Sequence, residues 1–348
     1  MRVLVTGHNG YLGSIIVPFL KNAGHDVVGL DSDLFADCTF EGEVSDIPAL
    51  RKDIRDVQLS DLVGLDAVIH LAALSNDVLG ELVPEVVYQV NHGSSVLLAR
   101  LAKEAGVSRF LYSSSCSSYG ASGSDMLTEE ASFNPVTHYA ISKIRSEEDI
   151  SKLADADFSP TFLRNATAYG ASPRLRVDLV INNLVAWAYT TGEVLIKSDG
   201  SALRPVVHGE DIARAFLAIM EAPRDLIHNQ AFNVGRNEEN YSIRELADLV
   251  EELVPDSKVT YAVGGSPDLR SYRVDCGKIA RTLPDFQPQW TAARGIEQLY
   301  AAYKRHGLTL EEFQSDRYTR IDYLKNLMNG GRVNSDLRWT GVAALKGS

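Results

Sequence analysis

Three cysteines in 348 residues, Cys38, Cys116 and Cys276, are odd in number and far apart, which gives neither a disulfide framework nor the spacing of a metal site. Long apolar runs are also missing. The chain opens with one basic residue and then a strand-like MRVLVTG, so neither a transmembrane span nor a signal peptide fits; no membrane partner and a cytoplasmic location are expected. Basic residues are outnumbered, 34 to 46, and the resulting charge of −12 repels polyanions. Nucleic acid is therefore disfavoured as a partner, and any phosphate must be bound locally. There is no internal repeat and no low-complexity tract. With 45% hydrophobic and 23% charged residues, the composition is that of an ordinary globular chain long enough for about two domains.

What is present is a rhythm. Apolar runs at residues 3–5, 26–30, 67–73, 109–113 and 160–163 alternate with helical stretches of crossover length. Continuous apolar runs suit parallel strands buried on both faces, so the expectation is an α/β fold, a doubly wound parallel sheet of the Rossmann type. After about Tyr169 the rhythm loosens into loops rich in Gly, Pro and Asp, such as 170–173 and 264–268. The expected division is a nucleotide-binding domain over 1–170, with 205–236 returning to it, and a smaller C-terminal α/β lobe over 171–204 and 237–348. Tyr318, Ile321, Leu324, Leu327 and Met328 follow helical spacing and predict a packing helix in the tail.

Two motifs carry chemistry. Gly7, Gly10 and Gly13 form a GxxGxxG between a strand and a helix, where a tight turn, an approach free of Cβ atoms and helix N–H groups suit a pyrophosphate. A second strand ends at Asp31, eighteen residues after Gly13, near the spacing at which a carboxylate takes ribose hydroxyls. No basic residue follows it, so NAD is expected over NADP. Asp53 and Ile54 lie where a third strand would end, and Asp53 reads equally as an adenine neighbour or a surface loop acid. His8 is expected to be exposed and His70 structural. Further on, Ser113-Ser114-Ser115-Cys116-Ser117 ends a strand, and Tyr139 and Lys143 share a helix face at a spacing of four, so that an ammonium can stabilise a phenolate.

Together with Asp53-Ile54-Arg55-Asp56, His70-Leu71-Ala72-Ala73, Asn91, Leu163-Arg164, Tyr169-Gly170 and the run from Arg204 to Asp211, these motifs resemble the extended short-chain dehydrogenases/reductases of the NAD-dependent epimerase/dehydratase family, which act on nucleotide sugars. The resemblance covers most of the chain. It implies Tyr139 as general base, Lys143 as its activator and ribose anchor, and Ser115 as partner of the sugar hydroxyl being oxidised. It implies NAD contacts from Gly7, Gly10, Tyr11, Leu12, Gly13, Asp31, Asp53, Ile54, Leu71, Ala72, Ala73, Asn91, Tyr139 and Lys143. The substrate end would use Ser115, Cys116, Ser117 and Thr167, with Asn182, Asn183, Arg204 and Arg270 at the diphosphate of a nucleoside-diphosphate sugar. Thr167 stands where the family more often has Asn, and Arg174 and Arg176 read as surface or capping residues. Cys116 lies one residue before the catalytic thiol of family members that epimerise at C3 and C5. Helices over 84–103 and 136–153 correspond to those through which the family dimerises, which implies a homodimer.

The implied reaction is transient oxidation at C4 followed by return of the hydride, that is, epimerisation. Net dehydrogenation or keto reduction is the alternative; a 3,5-epimerase, a 4,6-dehydratase and a dinucleotide sensor without turnover are further ones. A 4,6-dehydratase is disfavoured because that branch of the family places Asp-Glu directly after the catalytic Thr or Ser, where this chain has Cys116 and Ser117. No metal is expected.

Overall fold

The computed structural model describes residues 1–76, 80, 82–262 and 270–341, so the loop at 264–268 lies outside the described residues. Seven strands form the large sheet: β1 Arg2–Thr6, β2 Asp26–Asp31, β3 Ala49–Arg51, β4 Ala67–His70, β5 Arg109–Ser115, β6 Ser159–Asn165 and β7 Gln230–Val234. Their order is β3-β2-β1-β4-β5-β6-β7, and every neighbouring pair is parallel. In β1, Val3 and Val5 enter one core with Ile16, Leu20, Phe216 and Ile219, while Leu4 enters another with Val68, Leu98, Phe110 and Phe158. That alternation explains the unbroken apolar run: helices Gly13–Asn22 and Gly209–Glu221 cover one face, Ser94–Glu104 and His138–Ser151 the other. The strand order reverses between β1 and β4, and the crevice beyond the carboxyl ends of such strands is where doubly wound sheets bind ligands.

Smaller units surround that crevice. Strand Leu203–His208 pairs with Thr167–Tyr169 and Asn240–Ser242 rather than with the large sheet, and residues 209–234 then return to the large sheet through helix Gly209–Glu221 and β7. Helices Val180–Thr191, Ile243–Leu253 and Ala292–His306 share a core through Ile181, Leu184, Leu246, Val250, Ile296 and Leu299. Their ends are chemically set. Ser242 and Glu245 form a reciprocal capping box, Thr291 caps the third helix, and Gly307 at φ +73° ends it. The expected packing helix is Arg320–Asn329. Its Tyr323, Leu324 and Leu327 bury against Cys38, Leu74, Val86, Val87, Val333 and Leu337.

Candidate active site

The crevice opens into one cleft of about 1020 Å³, lined at one end by the glycine loop and Asp31 and at the other by Arg204 and Arg270. That is the upper end of ligand-site volumes, room for more than one small ligand. Gly7 adopts φ +71°, and a Cβ on it would lie 2.8 Å from the Ala72 nitrogen; at Gly13 a Cβ would run into the Gly7 carbonyl and His8. The loop thus reaches the end of β4 only as glycine. Asp31 accepts the N–H groups of Asn9 at 3.0 Å and Asp33 at 2.9 Å; burial pushes its carboxyl up, and those two donors oppose the push. A loop with glycine at its three close approaches, a helix N-terminus and a carboxylate at this end fit a dinucleotide.

Tyr11, Leu12, Ile54, Leu71, Ala72 and Ala73 line the same cleft, as does Asp53. Burial works against the Asp53 carboxylate, but bonds from the Arg55 backbone and guanidinium at 2.5–2.9 Å hold it below the usual range. Asn91 does not line the cleft. It sits in a π-helical turn, where its side chain bonds both backbone groups of Leu74 and so braces the loop after β4. His8 is not exposed either: only 8% of it meets solvent, and its ring packs where a Cβ on Gly29 would strike it.

Ser115, Tyr139 and Lys143 converge on this cleft. Thr137 accepts the Ala140 N–H at 3.1 Å and starts the helix that carries Tyr139 and Lys143 on one face. The Lys143 ammonium donates to the Ser113 carbonyl at 2.7 Å and lies 5.8 Å from the Tyr139 ring centroid. Burial pulls it down to about 7, against the pull of Glu147 one turn on. Glu147 is itself gripped by Arg164 at 2.7–3.1 Å and by the Ser114 hydroxyl. His70, bonded to Thr6 at 2.6 Å and Ser95 at 2.8 Å, is driven down to about 3 by burial, with Lys143 adding to it. It stays neutral and structural.

Cys116 is absent from the cleft. Its thiol donates to the Arg164 carbonyl at 3.0 Å and is fully buried, so it does not face a sugar in the cleft, and burial pushes the thiol up, away from the thiolate a catalytic cysteine uses. Ser117 does line the cleft, its N–H donating to the Ser115 hydroxyl at 3.1 Å.

At the second-lobe end, Thr167, Asn183, Arg204 and Arg270 line the cleft, and the Arg204 guanidinium donates to the Arg270 carbonyl. Asn182 does not; it points inward, accepting the Gly170 N–H at 3.0 Å and donating to the Arg176 carbonyl at 2.9 Å. Arg176 is no surface residue but forms a cleft-lining pair with Asp178 at 2.7 Å. Arg174 is buried too and donates to the backbone and side-chain oxygens of Asn9 at 3.1 and 2.9 Å. Nearby, the Tyr11 hydroxyl donates to the Gly170 carbonyl at 2.8 Å, the Ser172 hydroxyl to the Tyr11 carbonyl at 2.9 Å, and the Ser14 and Ser172 hydroxyls lie 3.0 Å apart. The glycine loop is thus tied to the segment that leads into the second lobe.

Sequence reasoning missed Asn165, Lys197, Tyr272, Arg320 and Leu337, all in the cleft wall. It also missed Arg51, which parallel pairing places opposite Asp31 with its guanidinium 3.3 Å from Asp33. Among the described residues no cluster of His, Cys, Asp or Glu is arranged to hold a metal, and no helix is long and apolar enough to cross a membrane.

Comparison with known proteins gives a consistent set of likenesses. The model of the NAD dependent epimerase/dehydratase family matches residues 3–235. A UDP-glucose 4-epimerase of Mycolicibacterium smegmatis is 31% identical over 307 residues, spanning 85% of this chain and 96% of that protein. Among solved structures, MoeE5 in complex with UDP-glucose and NAD superposes with a TM-score of 0.76 at 27% identity, covering 88% of this chain and 99% of its own. DesIV, a dTDP-glucose 4,6-dehydratase from Streptomyces venezuelae with NAD bound, gives 0.76 at 25% identity, covering 90% and 100%.

Proposed function

This chain belongs to the NAD-dependent epimerase/dehydratase family, and on that premise we propose that it is a nucleotide-sugar epimerase acting through a 4-keto intermediate. NAD, held by the glycine loop, Asp31 and Lys143, supplies the hydride acceptor and donor when bound. Tyr139 takes the proton of the sugar 4-hydroxyl and returns it, and Ser115 hydrogen-bonds the same oxygen. Protonated Lys143, on the same helix face, lowers the cost of the phenolate. Arg204, Arg270 and Asn183 bind the diphosphate at the other end.

The observation that carries this reading is the convergence of Ser115, Tyr139 and Lys143 on the glycine-loop cleft with no acid–base pair beside Ser115. The carboxylates of the described cleft wall are Asp31 and Asp53 at the adenosine end, Asp178 locked to Arg176, and Asp322 on the tail helix. None follows Ser115, so water loss across C5 and C6 lacks its proton donor and base. The test is a panel of nucleoside-diphosphate hexoses, UDP-glucose first because a relative is named for it, incubated in deuterated water and read by NMR. A sugar inverted at C4 without deuterium at C5 is expected. A 4-keto-6-deoxy product labelled at C5 would make the enzyme a dehydratase, and a ketone accumulating with NADH would make it a net dehydrogenase.

Cofactor choice follows from Asp31. A 2′-phosphate ~4 Å from its carboxylate costs up to about 4 kcal/mol per charge pair at an effective dielectric near 20, so NAD should bind about 10²-fold or more tightly than NADP. Asp31→Ala should narrow the gap, helped by Arg51 alongside; calorimetric affinities for NAD and NADP that are equal in the wild type would refute the assignment. The proposed assembly is a homodimer through helices Ser94–Glu104 and His138–Ser151, which pack side by side with Leu97 exposed; light scattering of the free protein would detect it.

A further inference from the structure

After helix Arg320–Asn329 the chain turns back and runs along the adenosine end of the cleft. The Trp339 indole donates to the Ser32 carbonyl at 2.7 Å, immediately after Asp31. Arg338 pairs with Asp56 at 2.6 Å and with Asp53 at 3.9 Å, and Arg55 donates to the Asp336 carbonyl at 2.9 Å. Arg51 lies over the Trp339 ring, 5.8 Å from its centroid. The tail is therefore fastened to the ends of both strands whose acids mark the adenosine site.

Between these fastenings stands Leu337, which lines the cleft, is 2% exposed and adopts φ +56°. Left-handed backbone is unfavourable for a branched residue and persists where the surroundings over-determine it, often at ligand sites. Here Asn334 imposes it: its side chain accepts the N–H groups of Asp336 at 3.0 Å and Arg338 at 2.9 Å, and its carbonyl that of Leu337 at 3.0 Å. The backbone strain places one apolar side chain in the cleft wall that also contains Asp31 and Ile54.

We propose that Leu337 is a cofactor-binding residue, an apolar wall for the adenine of NAD, and that Arg338 and Trp339 are the positioning residues that hold it there. The adenine face is flat and apolar, and a wall supplied by the tail retains the dinucleotide through turnover. The inference rests on the cofactor alone, so the sugar panel can fail without touching it.

The experiment uses the full chain with Leu337→Gly, which removes the wall and suits the positive φ, and Trp339→Ala, which removes the anchor. Dissociation of NAD is followed after dilution into excess competitor, and affinity for ADP-ribose, the adenosine half with both phosphates, by calorimetry. Both variants should release NAD at least tenfold faster and lose ADP-ribose affinity by a similar factor, with folding checked by circular dichroism. A folded Leu337→Gly protein within twofold of wild type on both measures would overturn the proposal; if that variant does not fold, Trp339→Ala, at a half-buried ring, decides by the same criterion.

Discussion

Tyr139→Phe should lower turnover 10²- to 10⁴-fold while leaving affinity for NAD and for the nucleotide sugar within about twofold, because positioned proton transfer contributes that much and the change removes one oxygen. The framework around the ring is held by other groups. The helix starts from the Thr137 cap, Lys143 is anchored on the Ser113 carbonyl, and its contact with the ring at 5.8 Å survives in phenylalanine. Binding and chemistry should therefore separate: calorimetry would find both ligands bound, and single-turnover assays would find the sugar unchanged. A folded variant that turns over within a few-fold of wild type would remove Tyr139 from the reaction.

Lys143→Met should lower activity at least as far and, in the absence of ligands, make the protein more stable. A buried ammonium drawn from 10.5 to about 7 binds fewer protons in the folded than in the unfolded chain between those values. The group's favourable contribution is then complete only above its unfolded value and is lost as the pH falls through about 7, so at neutral pH the fold carries most of the penalty. Each tenfold change in acidity is worth about 1.4 kcal/mol, which caps the cost near 5 kcal/mol; losing the bond to Ser113 returns about 1 kcal/mol. We expect a net gain of roughly 2–4 kcal/mol at pH 7, shrinking towards pH 10. Urea unfolding of the cofactor-free proteins at the two pH values measures it, and a variant less stable than wild type at pH 7 would contradict it.

Both predictions concern residues legible in the sequence, because a strand–loop–helix with glycines and a four-residue helical spacing are local patterns. The large parallel sheet was legible for the same reason. What escaped is non-local. Asn182 and Asn183 are adjacent, and only the rotation of helix Val180–Thr191 in its core decides that one faces inward and the other the cleft. Cys116 opens the short helical turn that follows Ser115, and that turn directs its thiol inward to the Arg164 carbonyl. Asn91 is spent on Leu74, a contact across seventeen positions. Arg51 reaches Asp33 through the pairing of β2 with β3, and Arg320 and Leu337 arrive from the far end of the chain with no motif around them.

The ties between the glycine loop and residues 170–174 limit how the molecule can breathe. Swinging the second lobe away at that seam would rupture five side-chain bonds together, those of Tyr11 with Gly170, Ser172 with Tyr11, Ser14 with Ser172, and the two from Arg174 to Asn9. At about 1 kcal/mol each, a lobe-open conformer would hold roughly one molecule in several thousand. Sugar entry and exit must therefore proceed without opening that seam, past the more exposed lining side chains such as Lys197 and Arg270, and turnover limited by product release would respond to substitutions there rather than at the buried floor.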